Sequence, residues 1–170
     1  MSPVRTRLAV PGDAPRCADI VFSSLREHGI TPDPEGADRD VRAFGAREGR
    51  FRDLVAEMAT DDAGAASRSA KASLDGPAWV VGIACLEPWD DGGWISKVFV
   101  AKEARGLGIG RALLERILAE ARAQGMQRLG LTTRSVFSAA IRLYERFGFV
   151  RSADPPQRGI GSDLSYELVL

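Results

Sequence analysis

The chain has 170 residues, 45% of them hydrophobic and 27% charged, which is typical of one globular domain with a core and excludes a disordered chain. Its 23 basic and 23 acidic residues cancel, so no net charge attracts nucleic acid or an anionic membrane, and we expect neither as a partner. Two cysteines without C-x-x-C spacing and a single histidine give no metal-ligand pattern, so we expect no metal site.

The apolar runs, the first residues and the cysteines indicate where in the cell the protein is expected. No apolar run reaches the length of a membrane-spanning helix, and the first residues lack the apolar segment of a signal peptide. Cys17 and Cys85 are expected to be ordinary buried thiols of a reducing compartment. These features predict a cytoplasmic protein.

The first part of the chain predicts a strand, two helices and a second strand. Residues 6–10 alternate as a strand does, and Asp13 is placed to cap a helix from residue 14 to about 28. A second helix is expected somewhere within residues 37–49, although apolar residues are sparse there. Residues 51–58 fit either a strand or a continuation of that helix.

The middle of the chain predicts a hairpin followed by a helix. Residues 60–77 are rich in Ala, Ser, Gly and Asp and predict a long exposed hairpin loop. A strand is expected over residues 79–86, a turn at 90–93, and a pairing strand over 94–100. Residues 111–124 carry one apolar stripe and predict a helix that ends at Gly125.

The last part predicts a strand over residues 129–133, a helix over 139–147, a restarted strand at Phe149 and a final edge or near-edge strand over 164–170. The order of elements predicts a single domain spanning residues 1–170. We expect an α/β protein of the α+β type, with a mixed, mainly antiparallel central sheet and helices on both faces.

Three glycines at every second position, Gly106, Gly108 and Gly110, stand between a strand and a helix. Glycine allows close backbone approach, and the first helical N–H groups have no intrahelical partner, so this turn predicts a phosphate or pyrophosphate ligand. The dinucleotide fingerprint fails at Arg111, and no Lys-Ser or Lys-Thr pair completes a P-loop. The alternative is a glycine-rich turn without a ligand.

The pattern that remains, Arg105-x-x-Gly108-x-Gly110, resembles the acyl-CoA pyrophosphate loop of the GNAT N-acetyltransferase superfamily. A second segment, A-x-x-L-Y-x-x-x-G-F over residues 140–149, is similar to the second signature of that superfamily. The resemblance favours a strand over residues 51–58 and implies acetyl-CoA, or another acyl-CoA, as co-substrate. It implies these cofactor contacts: Val98, Phe99, Val100, Arg105, Gly106, Leu107, Gly108, Ile109, Gly110 and Arg111.

Two residues are candidates for the catalytic proton transfers. The resemblance implies that Tyr144 lies near the CoA sulfur as general acid; the alternative is a core tyrosine whose hydroxyl is satisfied locally. Glu87, with Asp90 and Asp91, is a candidate to accept the amine proton through water, against the alternative of solvated turn residues. The strand before the glycine loop lacks the glutamate that some members carry, and Phe137 stands where many have asparagine.

The resemblance therefore implies an N-acetyltransferase that moves an acetyl or acyl group from acetyl-CoA to an amine of a small molecule or a protein. The amine attacks directly in a ternary complex. The missing glutamate and asparagine leave open an acyl-CoA-binding sensor without turnover. A homodimer is compatible with the sequence.

Overall fold

A computed structural model of the chain describes residues 4–59, 78–90, 92–152 and 161–170, which form seven strands and three α-helices. The predicted loop at residues 60–77 lies outside the described residues. The elements are β1 (Val4–Leu8), α1 (Ala14–Glu27), β2 (Arg52–Ala59), β3 (Ala78–Trp89), β4 (Gly92–Val100), α2 (Ile109–Ala123), β5 (Arg128–Thr133), α3 (Ser138–Arg146), β6 (Val150–Arg151) and β7 (Leu164–Val169).

The strands form one mixed sheet in the order β1-β2-β3-β4-β5-β7-β6. Only β4 and β5 run parallel, and every other neighbouring pair is antiparallel. The predicted mainly antiparallel sheet is therefore confirmed, as are β2 as a strand and β7 as a near-edge strand.

β4 and β5 separate part-way along their length. Their register joins Gly93 to Leu129 and Ile95 to Leu131, and it ends there, although β4 continues to Val100. Among the described strands, the last residues of β4 therefore have a sheet partner on the β3 side alone. This separation creates an opening inside the sheet.

Helices cover both faces of the sheet. A Cβ added at Gly82 of β3 would lie 2.6 Å from Cγ2 of Ile109, so α2 packs directly against that face. Phe99 pairs with the residue next to Gly82 and therefore points to the opposite face. There its ring packs edge-on against Phe137, which also packs against His28 at the end of α1.

The predicted second helix within residues 37–49 is wrong. The segment holds only a 3₁₀ turn over Arg39–Ala43. Val41 and Phe44 are its fully buried side chains, which is too few for an apolar helical stripe. Gly45 and Gly49 have φ values of 80° and 76°, and this left-handed backbone ends regular structure.

Asp13 does not cap α1 as predicted. Its side chain makes no capping bond to that helix, which follows a 3₁₀ turn over Pro11–Asp13. The carboxylate instead accepts a 2.8 Å hydrogen bond from the Val10 amide and pairs with Arg7 at 2.7 Å. Asp13 therefore stabilises the turn before the helix.

Candidate functional site

A cavity of about 790 Å³ lies where β4 and β5 separate. Its walls come from the end of β4, the glycine loop, the first turn of α2 and the first turn of α3. The two segments that the sequence marks as motifs, about thirty residues apart in the chain, therefore face each other across one groove.

Glycine is needed at the three loop positions for two different structural reasons: backbone conformation at two of them and close packing at the third. Gly106 and Gly108 have φ values of 78° and 84°, a left-handed conformation that other residues adopt at a cost. A Cβ added at either would meet no atom within 4 Å, so the backbone there is open to a ligand. Gly110 is a packing position, because its Cβ would lie 3.1 Å from Cδ2 of Leu143 on α3.

The N-terminus of α2 opens into the groove. The amides of Ile109, Gly110 and Arg111 have no hydrogen-bond partner among the residues that the structure describes. The dipole of this 15-residue helix adds partial positive charge at the same point. Free donors and positive potential together suit a bound anion.

Arg105 is tied to its surroundings. Its Nη1 pairs with Oε2 of Glu27 at 2.7 Å, and its Nη2 donates to Oγ of Ser24 at 3.3 Å. Its Nε donates to the carbonyl oxygen of Val100 at 3.2 Å. The guanidinium therefore joins the glycine loop to α1 and to the end of β4.

All the predicted cofactor contacts except one line the groove. Arg111 lines the groove, is 73% exposed at its side chain and pairs with Glu115 at 2.8 Å. Leu107 is the one predicted contact in the described chain that does not line the groove, because its half-buried side chain packs against the core. The other predicted contacts all line it.

The end of β4 presents backbone amides to the opening. The amide of Ala101 donates to the carbonyl of Val81 on the β3 side at 2.8 Å. Because amides alternate in direction along a strand, the amide of Val100 points away from β3 and towards the groove. Val98, two residues earlier, lies on the same edge of the strand.

A second cavity of about 580 Å³ adjoins the first. Of the residues that the structure describes, four line both cavities: Val98, Phe99, Phe137 and Ala140. Both predicted catalytic residues, Tyr144 and Glu87, line the second cavity and not the first. The two predicted catalytic residues therefore both line the second cavity, beside the groove.

The Tyr144 side chain is 5% exposed, and its ring packs edge-on against Phe149. Burial raises the pKa of Tyr144, so the hydroxyl keeps its proton. It makes no hydrogen bond to another residue in the described ranges, so the alternative of a locally satisfied hydroxyl does not hold within them. Its O–H group is therefore able to donate a hydrogen bond or a proton to a ligand in the cavity.

The carboxylate of Glu87 is partly buried at the wall of the second cavity, with 22% exposure of its side chain. Oγ of Ser96 donates to its Oε1 at 2.7 Å, and Nη1 of Arg47 lies 3.9 Å from the same oxygen. Glu87 is therefore held by neighbours and is not a solvated turn residue. Asp90 is exposed at the turn itself, and Asp91 lies outside the described residues.

A β-bulge that the sequence does not predict lies at the junction of the cavities. The pairing of β4 with β3 shifts between Ile83 and Cys85, and Lys97 in the shifted stretch has a φ of 55°. Its ammonium lies 3.3 Å from Oδ1 of Asp40 on the 3₁₀ turn. A lysine carries no turn signal, so nothing in the sequence marks the bulge.

Residues 39–149 match the family model described as Acetyltransferase (GNAT) family. The chain belongs to the GNAT acetyltransferase family. The match includes the glycine loop, Glu87 and Tyr144, and the resemblance inferred from the two sequence motifs is confirmed.

Two solved structures share this fold over nearly the full length of the chain. A GNAT-family acetyltransferase from Staphylococcus aureus Mu50 is 18% identical, with a TM-score of 0.78 and coverage of 97% of this chain and 98% of that one. The yncA protein of Salmonella typhimurium, solved with its cofactor acetyl-CoA, is 24% identical, with a TM-score of 0.68 and coverage of 99% and 94%. These likenesses establish the GNAT fold.

Curated relatives match over shorter stretches. An IAA acetyltransferase of Azospirillum brasilense is 43% identical over 72 residues, which are 41% of this chain and 47% of that protein. An N-acetyltransferase of Dictyostelium discoideum is 38% identical over 56 residues, 33% of this chain and 26% of that protein. The chain thus matches less than half the length of either relative.

Two further findings concern the described residues alone. No helix among them has the length and apolar character that crossing a membrane needs. No three His, Cys, Asp or Glu side chains of the described ranges come together as metal ligands do.

Proposed function

We propose that the protein is an N-acetyltransferase that moves the acetyl group of acetyl-CoA to a primary amine, by direct attack while both substrates are bound. One observation carries this proposal: two cavities meet at the point where β4 leaves β5, and they share Val98, Phe99, Phe137 and Ala140. A donor in the groove and an acceptor in the second cavity would react at that junction. Family membership supports acetyl-CoA as the donor.

The groove supplies the donor site in this proposal. The amides of Ile109, Gly110 and Arg111 bind the pyrophosphate, beside the open backbone of Gly106 and Gly108. The pantetheine arm lies along the free edge of β4. Arg105 keeps the loop and the strand at a fixed separation through its contacts with Glu27 and Val100, as well as adding positive charge.

The junction supplies electrostatic stabilisation. Attack on the thioester carbonyl creates an oxyanion, and an amide on the β4 edge, at Val98 or Val100, donates to it. A fixed backbone donor needs no reorganisation during the reaction, which makes such groups effective. Holding both substrates together contributes through proximity.

The second cavity supplies the two proton transfers. An amine has a pKa of about 10.4 and must lose a proton before it attacks, and Glu87 accepts that proton directly or through one water. The departing thiolate has a conjugate acid pKa of about 8.5, and Tyr144 donates a proton to it. At neutral pH the Tyr144 hydroxyl is protonated, so it has a proton to donate.

Incubation with acetyl-CoA and a panel of primary amines, followed by measurement of released CoA thiol, tests the proposal. We expect thiol release that depends on one or more amines. Tight binding of acetyl-CoA without amine-dependent release across the panel would instead favour the sensor.

A further inference from the structure

We propose that Lys97 is a positioning residue: its ion pair with Asp40 fixes the bulge of β4 that directs the amide of Val98 at the thioester carbonyl. This inference rests on the proposed function and adds to it a residue that lies outside both sequence motifs. It follows from the backbone of the bulge, from the ion pair, and from the position of the bulge between the two cavities.

The bulge lies where β4 passes from one cavity to the other. Ser96 and Lys97 line the second cavity, Val98 and Phe99 line both cavities, and Val100 lines the groove. Lys97 is therefore the neighbour in the chain of the residue whose amide faces the reacting group in the proposed function. A small movement of the strand at Lys97 would move that amide relative to both substrates.

The bulge also sets the direction of the Val98 amide. The residue pairs that flank it are Ser96–Cys85 and Phe99–Ile83. Two steps along β3 thus match three steps along β4, so backbone directions, which repeat every second residue, are shifted by one. The amide of Phe99 points towards β3, as that of Ala101 does, and the amide of Val98 therefore points to the groove. In a regular strand, Val98 would share the direction of Ser96, towards β3.

The backbone of Lys97 is in a conformation that residues other than glycine disfavour. Its φ of 55° is left-handed, and there the Cβ crowds the following carbonyl oxygen. Among the described residues other than glycine, Asp90 alone shares a positive φ, and it lies at an exposed turn. Conformations of this kind persist where the surrounding structure holds them, and they cluster at functional sites. Contacts of Lys97 are therefore needed to keep the bulge as it is.

Asp40 holds the side chain of Lys97. The Nζ atom lies 3.3 Å from Oδ1 of Asp40, and the two side chains are partly buried, with exposures of 17% and 33%. Oδ1 of Asp40 is itself buried and accepts no hydrogen bond from the described residues, so the ammonium offsets its charge. Water screens such a pair less than it screens a surface pair.

The ion pair joins the bulge to the segment between α1 and β2. Asp40 belongs to the 3₁₀ turn Arg39–Ala43 of that segment. The same segment lines the second cavity through Ile30, Thr31, Asp33, Ala37 and Asp38. Lys97 and Asp40 lie outside the described lining of the groove. Loss of the pair should therefore slow acetyl transfer and leave acetyl-CoA binding almost unchanged.

Kinetics of two single variants and their combination test the ion pair. Lys97→Met and Asp40→Asn each remove one charge with little change in side-chain size. We expect each to lower kcat, for the best amine of the panel, by at least about tenfold, because a displaced oxyanion donor stabilises the transition state poorly. The Kd for acetyl-CoA, measured by calorimetric titration, should stay within about twofold. Since the two residues act as a unit, the double variant should lose about as much as either single variant.

Two further variants serve as controls. Lys97→Arg keeps a cation beside Asp40 and should recover most of the rate that Lys97→Met loses. Arg42→Met breaks a 2.7 Å ion pair with Glu35 from the same 3₁₀ turn, but that pair is exposed at both side chains, at 59% and 79%. We expect Arg42→Met to keep kcat. Melting temperatures show which variants are folded, and Asp40→Asn carries the test if Lys97→Met is not.

Infrared difference spectroscopy of bound acetyl-CoA, labelled with ¹³C at the acetyl carbonyl, tests the amide position without turnover. A hydrogen bond to a carbonyl oxygen weakens the C=O bond and lowers its stretching frequency. We expect the frequency to be lower in the unchanged protein and in Arg42→Met than in Lys97→Met and Asp40→Asn.

The outcomes separate this inference from the proposed function. An unchanged carbonyl frequency in both single variants overturns the inference, as does an unchanged kcat or a double variant whose losses multiply, and each leaves the proposed function intact. If acetyl-CoA binds but the unchanged protein acetylates no amine, the proposed function is wrong, and the carbonyl frequency still tests the amide position. Failure to bind acetyl-CoA overturns both.

Discussion

Arg105 donates a 3.2 Å hydrogen bond to the carbonyl oxygen of Val100, five residues earlier, so the glycine loop is tied to the end of β4. The same guanidinium pairs with Glu27 on α1. The position of the loop relative to β4 and α1 therefore depends on a side chain that the sequence motif predicts as a phosphate contact. Its contacts indicate a role in positioning the loop.

Arg105→Ala and Glu27→Gln distinguish positioning from direct phosphate contact. If Arg105 positions the loop through Glu27, both variants should weaken acetyl-CoA binding, by an amount that calorimetric titration measures. We expect a larger loss for Arg105→Ala, since it also removes the bond to Val100. Full affinity in Glu27→Gln, with a large loss in Arg105→Ala, would indicate direct contact with the phosphate.

Gly108→Glu tests the pyrophosphate site. The new side chain places negative charge where the phosphates bind, and we expect acetyl-CoA affinity to fall by at least about tenfold. Gly125→Glu is the matched control, because both glycines have positive φ, at 84° and 70°, and neither Cβ would meet an atom within 4 Å. Gly125 follows the other end of α2. If the two variants bind acetyl-CoA with equal affinity, the phosphates do not bind at Gly108.

Tyr144→Phe tests the general acid. The ring stays in place, so the melting temperature should change little, whereas kcat should fall by roughly 10²–10⁴-fold with little change in KM. Because burial raises the pKa of Tyr144, loss of this acid at high pH should begin above its ordinary value of 10.0. Tyr166→Phe, at a tyrosine that is 4% exposed and bonded to Glu145, should keep kcat.

The two thiols should be inert in the folded protein. Cys17 and Cys85 are fully buried, and burial raises the pKa of Cys17 from 9.0 to about 12 and that of Cys85 further. Dithionitrobenzoate at pH 8 should detect no thiol in the native protein and two after unfolding. An added Val169→Cys thiol, at a site that is 84% exposed, should react at once.

The same pKa shifts predict how stability depends on pH. The unfolded chain ionises its thiols near pH 9, and the folded protein ionises Cys17 near pH 12. Their contribution to the free energy of unfolding is therefore complete below pH 9 and lost as pH rises towards 12. We therefore expect the free energy of unfolding, measured by urea denaturation, to fall less between pH 9 and 12 in Cys17→Ala than in the unchanged protein.

The sequence predicts the sheet and the groove because their signals are local. Alternating or continuous apolar runs mark β1, β3 and β5, and glycines mark turns such as those at Gly108 and Gly148, where φ is positive. The pattern of β2 leaves strand and helix open, and the family resemblance favours the strand. The pattern around Tyr144 is likewise contained within one helix. Each of these features depends on a few neighbouring residues.

The features that the sequence does not predict depend on distant contacts. The bulge at Lys97 arises from pairing with β3, and Arg105 finds its partner Glu27 in a helix 78 residues away in the chain. The stretch within residues 37–49 has the length of a helix but too few apolar residues to stabilise one against the core. Contacts between residues that are distant in the chain, such as the pairing at the bulge and the Arg105–Glu27 ion pair, leave no local sequence pattern.

Acetyl transfer to an amine is measured as acetylated product, by mass spectrometry, after acetyl-CoA and a panel of primary amines are incubated with the unchanged protein or with Tyr144→Phe. We expect an N-acetylated amine that accumulates with protein concentration and time, at a rate reduced by roughly 10²-fold or more in the variant. If no amine of the panel is acetylated while acetyl-CoA binds, the protein is not an N-acetyltransferase of primary amines.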